Sequence, residues 1–301
     1  MTYCRKKTLG LAMTLVLGCL GVDASPGWSE DGGNWPSFRG PRARGVAEGH
    51  ATAVSWKIEE GEGTVWKTPI AGLSHSSPIV WEEKICVTSA VPKAGDPSLK
   101  VGLYGDIQSV EDEGVHQWTV TCLDKRDGKV LWQQVAHEGQ PKVKRHTKST
   151  HANSTPATDG EHLVAFFGSE GLYAYDLEGN LKWQKDLGVL DAGFYVAPTA
   201  QWGFGSSPII HQGKVVIQVD VLAEDYIAAF DVADGTELWR TPREEVPTWS
   251  SPTLYEVGDS TRVAVNGWQH SGGYDFATGK EVWWFNGGGD IPVPTPIVAH
   301  D

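Results

Sequence analysis

Residues 230–239 read FDVADGTELW, and this stretch decides the fold because it recurs with similar spacing along the chain. The other copies are LDKRDGKVLW, YDLEGNLKW and YDFATGKEVW. In each copy glycine precedes tryptophan by four residues, and aspartate precedes glycine by four residues or, in the second copy, by three. The residues that define the copies are Asp124, Gly128 and Trp132; Asp176, Gly179 and Trp183; Asp231, Gly235 and Trp239; and Asp275, Gly279 and Trp283. Such an internal repeat predicts a chain built from copies of one structural unit.

A second repeated block precedes each of these copies. It reads HSSPIV, NSTPAT, GSSPII, WSSPTL and then PTPIV, and the last two spacings between its prolines are 44 residues each. Within the third unit, the segments PIIHQ, KVVIQVD, YIAAFD and TELWR are typical of four short strands separated by turn residues. A period near 44 residues with four strands per unit is typical of a propeller blade. We therefore predict an all-β fold, a β-propeller of four-stranded antiparallel blades with few helices.

Each position of the repeat has a structural role in this fold. The aspartate ends the third strand and can accept backbone N–H bonds across the turn, while the glycine supplies the positive φ that the hairpin needs. The tryptophan lies on the outer strand, where its ring can fill the gap against the neighbouring blade. Catalysis needs a residue once, so we interpret the repeated aspartates and Ser-Pro blocks as structural.

These features resemble the pyrroloquinoline-quinone (PQQ) repeat family, whose blades carry a tryptophan docking motif of the form A-x-D-x-x-x-G-x-x-x-W. The small position of that motif is filled here by Cys122, Ala174, Ala229 and Gly273. The lead-in NWPSFRGP at residues 34–41 also resembles the start of the secreted PQQ-like group. The resemblance implies a propeller over about residues 56–301. Members of this family range from alcohol and sugar dehydrogenases to an outer-membrane assembly scaffold and secreted proteins that need bind no quinone.

The strand count predicts an incomplete ring of about four full blades plus partial strands. The segment GTVWKTPI around Trp66 is typical of an outer fourth strand, and the segment after Pro296 is typical of a first strand. We expect an open arc with exposed edges, from a truncated sequence, and a complete protein that closes by dimerisation is the alternative. The predicted boundaries are 1–24 for a signal peptide, 25–54 for an extended Gly/Pro-rich lead-in and 55–301 for the propeller.

The N-terminus is typical of an export signal. A basic patch at residues 5–7 precedes a mostly apolar run over residues 9–20, and a small-residue cleavage site ends at Ala24. The run is too short to span a bilayer. Residues 16–19 (VLGC) resemble a bacterial lipoprotein cleavage box, so Cys19 is a candidate lipidation site. We expect a periplasmic or extracellular protein with no transmembrane segment.

Net charge and cysteine content exclude two classes of protein. A net charge of −13 is opposite to what a nucleic-acid surface needs. Four cysteines in 301 residues do not make a disulfide scaffold. Cys86 and Cys122 fall on neighbouring strands of the first unit, and the register of the second unit places Val87 opposite Cys122. We therefore predict two buried free thiols and no disulfide.

Three of the ten histidines cluster in the connection between the first two blades. His137, His146 and His151 match no standard zinc spacing, and four basic residues accompany them at positions 142, 144, 145 and 148. We predict a solvated basic loop and no metal site, with contact to an anionic partner as the alternative.

The loops that enter the inner strands and those that join second to third strands should gather on one face, around a central funnel. This funnel face also takes the long insertion over residues 91–116. Its candidate ligand residues are aromatic, imidazole or amide side chains, which suit a sugar-like or planar ligand by stacking and hydrogen bonding; packing between blades is the alternative for some of the tryptophans. They are His75, Asn153, Trp202, Phe204, Trp249, Trp268 and His270.

Three functions remain open on the sequence. The first is a non-catalytic scaffold outside the cytoplasm that binds a protein, peptide or glycan at the funnel face, with no cofactor. The second is a PQQ-dependent quinoprotein dehydrogenase, which would need a PQQ pocket, calcium and a catalytic aspartate; none of these can be placed residue by residue. The third is an outer-membrane assembly scaffold, which rests on fold analogy and on Cys19.

Overall fold

A computed structural model describes residues 33–47, 53–95, 98–99 and 107–298 of the chain. The predicted signal peptide and Cys19 lie outside the described residues. Within them, no helix has the length and apolar character needed to cross a membrane.

The described residues form four four-stranded antiparallel sheets and one two-stranded hairpin, which confirms the predicted propeller blades. In each blade the strands follow chain order from first to fourth. Blade 1 contains β1 (Ile79–Trp81), β2 (Lys84–Pro92), β3 (His116–Asp124) and β4 (Val130–Gly139). Blade 2 contains β5 (Ala157–Thr158), β6 (His162–Phe166), β7 (Leu172–Asp176) and β8 (Leu181–Lys185). The hairpin is β9 (Gly193–Phe194) and β10 (Ala197–Gln201). Blade 3 contains β11 (Ile209–His211), β12 (Lys214–Val219), β13 (Tyr226–Asp231) and β14 (Glu237–Pro242). Blade 4 contains β15 (Thr253–Val257), β16 (Ser260–Val265), β17 (Ser271–Asp275) and β18 (Glu281–Phe285).

The repeated Asp and Gly form the turn between the third and fourth strands, as the turn between β13 and β14 shows. The Oδ1 atom of Asp231 accepts a hydrogen bond from the backbone N–H of Ala233 at 2.8 Å. Gly235 donates its own N–H to the carbonyl of Asp231 at 2.9 Å and has a φ of 74°. A side chain is excluded at Gly235, because an added Cβ would lie 2.8 Å from the Trp183 ring of blade 2.

Each repeated tryptophan except the last docks on the Asp–Gly turn of the following blade. Its Nε1 atom donates to the carbonyl of the residue that follows the repeated aspartate. Trp66 donates to Lys125 at 2.9 Å, Trp132 to Leu177 at 2.9 Å, Trp183 to Val232 at 2.8 Å and Trp239 to Phe276 at 3.1 Å. Trp283 instead donates to the hydroxyl of Tyr255, in its own blade, at 2.6 Å. The docking role predicted from the sequence is therefore confirmed, and Trp66 is used in the same way.

Apolar side chains fill the spaces between successive blades. Trp118 of blade 1 packs in one cluster with Leu163 of blade 2. Phe166 of blade 2 packs in another with Ile217 and Phe230 of blade 3. All five side chains are almost completely buried. Alternate residues of the middle strands therefore face opposite neighbours, as expected for sheets covered on both sides.

The Ser-Pro blocks join the first strands of neighbouring blades through hydroxyl groups. The backbone N–H of Ser77 donates to Thr155 Oγ1 at 2.9 Å, the N–H of Thr155 to Ser207 Oγ at 3.0 Å, and the N–H of Ser207 to Ser251 Oγ at 2.9 Å. These four residues each precede the proline of their block. The hydroxyls thus satisfy backbone donors between blades, which explains why they recur without a catalytic role.

The lead-in runs across the first strands of several blades. Trp35 exchanges two backbone hydrogen bonds with Val80 of β1, at 2.7 and 2.9 Å. The carbonyl of Pro36 accepts the N–H of Thr158 in β5 at 2.9 Å. The short 3₁₀ turn Pro41–Ala43 then contacts β15 of blade 4. The lead-in therefore lies against the inner strands of blades 1, 2 and 4.

The predicted free thiols are wrong, because Cys86 and Cys122 form a disulfide. Cys86 lies directly opposite Cys122 in the β2–β3 ladder, and Val87 lies opposite Thr121. The β6–β7 ladder has the equivalent register, with His162 opposite Asp176 as Lys84 is opposite Asp124. The prediction was displaced by one residue because it assumed the wrong register for the β6–β7 hairpin, in which Phe166 pairs with Leu172 across a 3₁₀ turn. A one-residue shift moves a side chain to the other face of a sheet.

Candidate functional site

The predicted funnel-face residues have different environments, and the side chains of two of the seven make their contacts inside the protein. Phe204 is 7% exposed and packs on Phe166 with ring centroids 4.7 Å apart, so it belongs to the core. Asn153 donates to Ser149 Oγ and to the carbonyl of Phe204, each at 2.9 Å. It also accepts from the N–H of Thr150 at 3.0 Å. The structure therefore corrects the assignment of Phe204 to a ligand surface, and it gives the Asn153 amide internal partners.

His270 and His75 contact different parts of the protein. The ring of His270 stacks on Trp284 with centroids 5.3 Å apart, and its Nε2 atom pairs with Glu281. His75 is exposed, and its backbone N–H donates to the carbonyl of Ala152 at 3.0 Å. Partial burial, and then the charge of Arg145, lower the pKa of His75. His75 is thus a neutral imidazole at neutral pH.

Three of the predicted residues, Trp202, Trp249 and Trp268, join Phe194 and Tyr195 in one set of neighbouring rings, which we call the aromatic row. Phe194 stacks on Trp202 with centroids 5.0 Å apart and an interplanar angle of 5°. Trp249 lies 5.4 Å from Trp202 on one side. On the other side Tyr195 lies 5.5 Å from Phe194 and 5.3 Å from Trp268. All five side chains are half-buried, so the row is packed together and still reaches solvent.

The β9–β10 hairpin positions the aromatic row. It lies in the connection between blades 2 and 3, and Phe194 ends β9. Gln201 of β10 donates to Asp191 Oδ2 at 2.7 Å, which holds the two ends of the hairpin together. Trp202 Nε1 donates to the carbonyl of Ile107 at 3.1 Å, and Trp249 Nε1 donates to the carbonyl of Gly203 at 2.8 Å. The polar atoms of both indoles are thus satisfied within the protein.

A buried ion pair fixes blade 3 to blade 4 beside this region. Arg243 Nε donates to Asp220 Oδ1 at 2.7 Å, and both side chains are fully buried. Arg243 also donates to the hydroxyl of Tyr274 and to the carbonyl of His270, both at 2.8 Å. Because all these groups are satisfied within the protein, we assign them a structural role.

The connection that carries the clustered histidines is not the solvated loop that the sequence predicted. Arg145 is 4% exposed, and its Nε donates to Asp112 Oδ2 at 3.0 Å. The side chains of His116 and His151 are about as deeply buried beside the same carboxylate. His137 and His146 do not join this group: His137 packs on Trp118 at 5.3 Å, and His146 packs on Trp202 at 5.7 Å. The structure therefore replaces the predicted basic loop with a cluster of Asp112, His116, Arg145 and His151.

Four residues of these two features were not identified from the sequence. Phe194 and Tyr195 lie in an unusually long connection between blades, and this length was the available signal. Asp112 and His116 were counted only as part of the insertion over residues 91–116. Their pairing with His151 joins residues 35 or more positions apart, so no local spacing could indicate it.

Comparison with known proteins gives one family and several structures of similar fold. The family model described as "Outer membrane protein assembly factor BamB" matches residues 32–192, more than half of the chain. A europium-containing methanol dehydrogenase matches with 13% identity and a TM-score of 0.48, over 72% of this chain and 42% of its own. The quinohemoprotein alcohol dehydrogenase ADHIIG from Pseudomonas putida HK5 matches with 16% identity and a TM-score of 0.49, over 85% and 40%. BamB from Moraxella catarrhalis matches with 13% identity and a TM-score of 0.43, over 79% and 71%. The chain thus spans about two fifths of the length of these dehydrogenases. No curated protein matches it.

Proposed function

The chain belongs to the PQQ-like repeat family described as outer membrane protein assembly factor BamB, and on that premise we propose that it is a non-catalytic scaffold outside the cytoplasm. Its ligand is an extended polypeptide, which it binds on the aromatic row. The family description supports a polypeptide over a glycan, since an assembly factor handles other proteins.

The aromatic row carries this proposal. Tyrosine and tryptophan supply large apolar contact areas with a polar atom, and they are enriched where proteins bind one another. Successive rings of the row lie 5.0 to 5.5 Å apart. A strand advances about 3.3 Å per residue, so a path over five such rings can contact at most about six residues of an extended peptide.

The hairpin beside the row adds a second mode of contact. Its sheet contains only β9 and β10, so among the described strands each has one edge that pairs with no other strand. A peptide can add to such an edge through main-chain hydrogen bonds while its side chains contact nearby rings. Val196 at the hairpin tip is 66% exposed, which leaves the tip accessible.

The disulfide supports a location outside the cytoplasm. Cys86 and Cys122 are buried in the core cluster of blades 1 and 2. Disulfides of this structural kind form and persist in oxidising compartments and are rare in the cytosol. The N-terminal segment, which is typical of an export signal, agrees with such a location.

The described residues do not fit the quinoprotein alternative. A planar quinone between two rings needs their planes about 7 Å apart, twice an ordinary contact distance. The parallel rings of the row, Phe194 and Trp202, have centroids only 5.0 Å apart. PQQ also carries carboxylates, and the buried arginines Arg145 and Arg243 are already paired with aspartates. Calcium prefers oxygen ligands, whereas the one metal-competent cluster among the described residues has two imidazoles.

A binding titration tests the proposal. The probe is a fluorescein-labelled peptide of ten residues with alternating Val and Thr, followed by anisotropy against purified full chain. We expect saturable binding that weakens about 10- to 30-fold in Tyr195→Ala and in Trp268→Ala, as for central aromatic residues of interfaces. Trp284→Ala is the matched control, because Trp284 is 58% exposed and lies outside the row.

Three results would contradict the proposal. The first is absence of saturable peptide binding. The second is equal binding by Tyr195→Ala, Trp268→Ala and the wild-type chain. The third is binding of maltoheptaose or chitotetraose, used as unlabelled glycans, with the same dependence on the row and no peptide binding; this would assign the row to a glycan.

A further inference from the structure

The strands and loops of blade 1 bring three metal-ligand side chains together at one end of the sheet. His116 opens β3, Asp112 lies four residues before it, and His151 lies in the connection from blade 1 to blade 2. The backbone N–H of Val110 donates to the carbonyl of Arg145 at 2.8 Å, which ties the two segments together. One ligand atom from each of the three side chains lies within 4.8 Å of the others.

We propose that Asp112, His116 and His151 bind one divalent transition-metal ion, with zinc as the best match, and leave an open coordination position. Two imidazole nitrogens and one carboxylate oxygen form a donor set that suits zinc and its neighbours rather than calcium or magnesium. None of the three ligands belongs to the aromatic row, and the proposal does not depend on the peptide-binding function.

The distances between ligand atoms match a small ion. Around a tetrahedral ion with bonds of about 2.0–2.1 Å, neighbouring ligand atoms lie about 3.3–3.4 Å apart. Asp112 Oδ1 lies 3.4 Å from His116 Nε2, and Asp112 Oδ2 lies 3.3 Å from His151 Nε2. The two distances involve different oxygens of Asp112. The three ligand atoms lie within 4.8 Å of one another, so His151 or Asp112 must move closer for one carboxylate oxygen and both nitrogens to face a common point.

His151 carries the independent evidence for a ligand. Its side chain is 5% exposed, yet its Nε2 atom makes no hydrogen bond of acceptable geometry, although Asp112 Oδ2 is 3.3 Å away. A buried polar atom without a partner is costly, and native structures seldom retain one. A metal ion would satisfy this nitrogen.

The surrounding groups orient the other two ligands. His116 Nδ1 lies 2.8 Å from the carbonyl of Gly114, which places the proton on Nδ1 and leaves the lone pair on Nε2. A metal-binding histidine typically has such a partner on its second nitrogen. Arg145 holds Asp112 Oδ2, so Oδ1 is the oxygen left for the ion.

A cavity supplies the open position. It has a volume of about 240 Å³ and is lined by all three ligands, by Arg145 and by Thr147. Thr147 Oγ1 is also buried without a hydrogen-bond partner. With three protein ligands, a fourth position occupied by water or a small anion is the arrangement of reactive zinc sites rather than closed structural ones. The positive charge of Arg145 lowers the affinity for a cation and favours an anion in that position.

Titration of the full chain with Co²⁺, after removal of bound metals by a chelator, tests the site. We expect one equivalent to bind and to give visible d–d absorption, which Zn²⁺ abolishes by displacement. Asp112→Asn and His151→Ala should each weaken binding at least about tenfold, because removal even of an outer partner of a ligand costs 10- to 100-fold. His162→Ala is the matched control. His162 lies 3.1 Å from Asp159, so it forms an Asp–His pair, and no third ligand joins it within the described part of the chain.

The Co²⁺ spectrum of the wild-type chain decides first whether the metal site exists. Absence of d–d bands at one equivalent of Co²⁺, or binding that His162→Ala removes and Asp112→Asn leaves intact, overturns the proposal. Asp112→Asn keeps the shape of the side chain, and far-UV circular dichroism shows whether each variant is folded. Should His151→Ala fail to fold, the wild-type spectrum and Asp112→Asn still decide.

Discussion

Replacement of Gly235, the glycine that the Trp183 ring contacts, by alanine should measure how much the docking of one tryptophan contributes to the stability of the propeller. Gly235 and Gly213 both lie in blade 3 and both have a φ of 74°. A Cβ at Gly235 would lie 2.8 Å from two atoms of the Trp183 ring, whereas a Cβ at Gly213 meets nothing within 4 Å. Gly213→Ala is therefore a control with the same backbone strain and no effect on docking.

The expected difference follows from these distances. Left-handed backbone costs an alanine about 1–2 kcal/mol at either position. At Gly235 the indole must in addition retreat by about 0.7 Å to restore an ordinary contact of about 3.5 Å, and overpacking of this kind costs about 1–3 kcal/mol. Displacement also weakens the 2.8 Å hydrogen bond from Trp183 to Val232, worth about 1 kcal/mol. Gly235→Ala should therefore lower the free energy of unfolding by about 2–4 kcal/mol more than Gly213→Ala.

Equilibrium urea denaturation followed by far-UV circular dichroism measures both variants. The midpoint should fall in both and the slope should stay unchanged, since a stability change alone moves only the midpoint. In a Trp183→Leu background the excess cost of Gly235→Ala should largely disappear, because the alanine then meets no indole. Equal costs for Gly235→Ala and Gly213→Ala, within about 0.5 kcal/mol, would refute the docking argument.

Two further predictions concern the disulfide and a buried carboxyl group. Reduction of the Cys86–Cys122 disulfide, which spans 36 residues, should lower the free energy of unfolding by about 3–4 kcal/mol, measured by urea denaturation with and without dithiothreitol. An unchanged midpoint would contradict this, as would titration of all four cysteine thiols, instead of two, in the unfolded and unreduced full chain. Burial raises the pKa of Glu170 to about 7 from 4.5, because the folded protein favours the protonated carboxyl group. The contribution of this group to the free energy of unfolding is therefore fully present below about pH 4.5 and is lost as the pH rises through 7. Glu170→Gln should therefore match the wild-type chain at pH 4 and exceed its free energy of unfolding by about 3 kcal/mol at pH 8, and the same difference at both pH values would exclude this cause.

The repeated motif was sufficient to predict the fold. Asp231, Gly235 and Trp239 recur because every blade needs the same turn and the same contact with its neighbour, so copies of one local pattern report the whole architecture. The register of β2 against β3 was missed for the opposite reason. It depends on the number of residues in one hairpin, and a single miscounted residue placed Val87 where Cys86 lies.

The candidate site was only partly predictable because it depends on contacts between distant segments. Trp202, Trp249 and Trp268 were identified from their positions at strand entries and loops, where propeller loops converge. Phe204 has the same kind of position, yet it points between two blades and is buried. Nothing in the local sequence distinguishes these two orientations, since the neighbouring blade determines which rings are covered.

The lead-in affects how the protein unfolds. In an array where each repeat touches only the next, stability is a sum of neighbouring terms and the end repeats can melt first. Here the segment that begins at Trp35 binds β1 and β5, and its 3₁₀ turn reaches β15. The lead-in therefore connects blades that are far apart in the chain. Loss of any one blade then removes contacts from several others, so the whole assembly should melt in a single transition and not repeat by repeat.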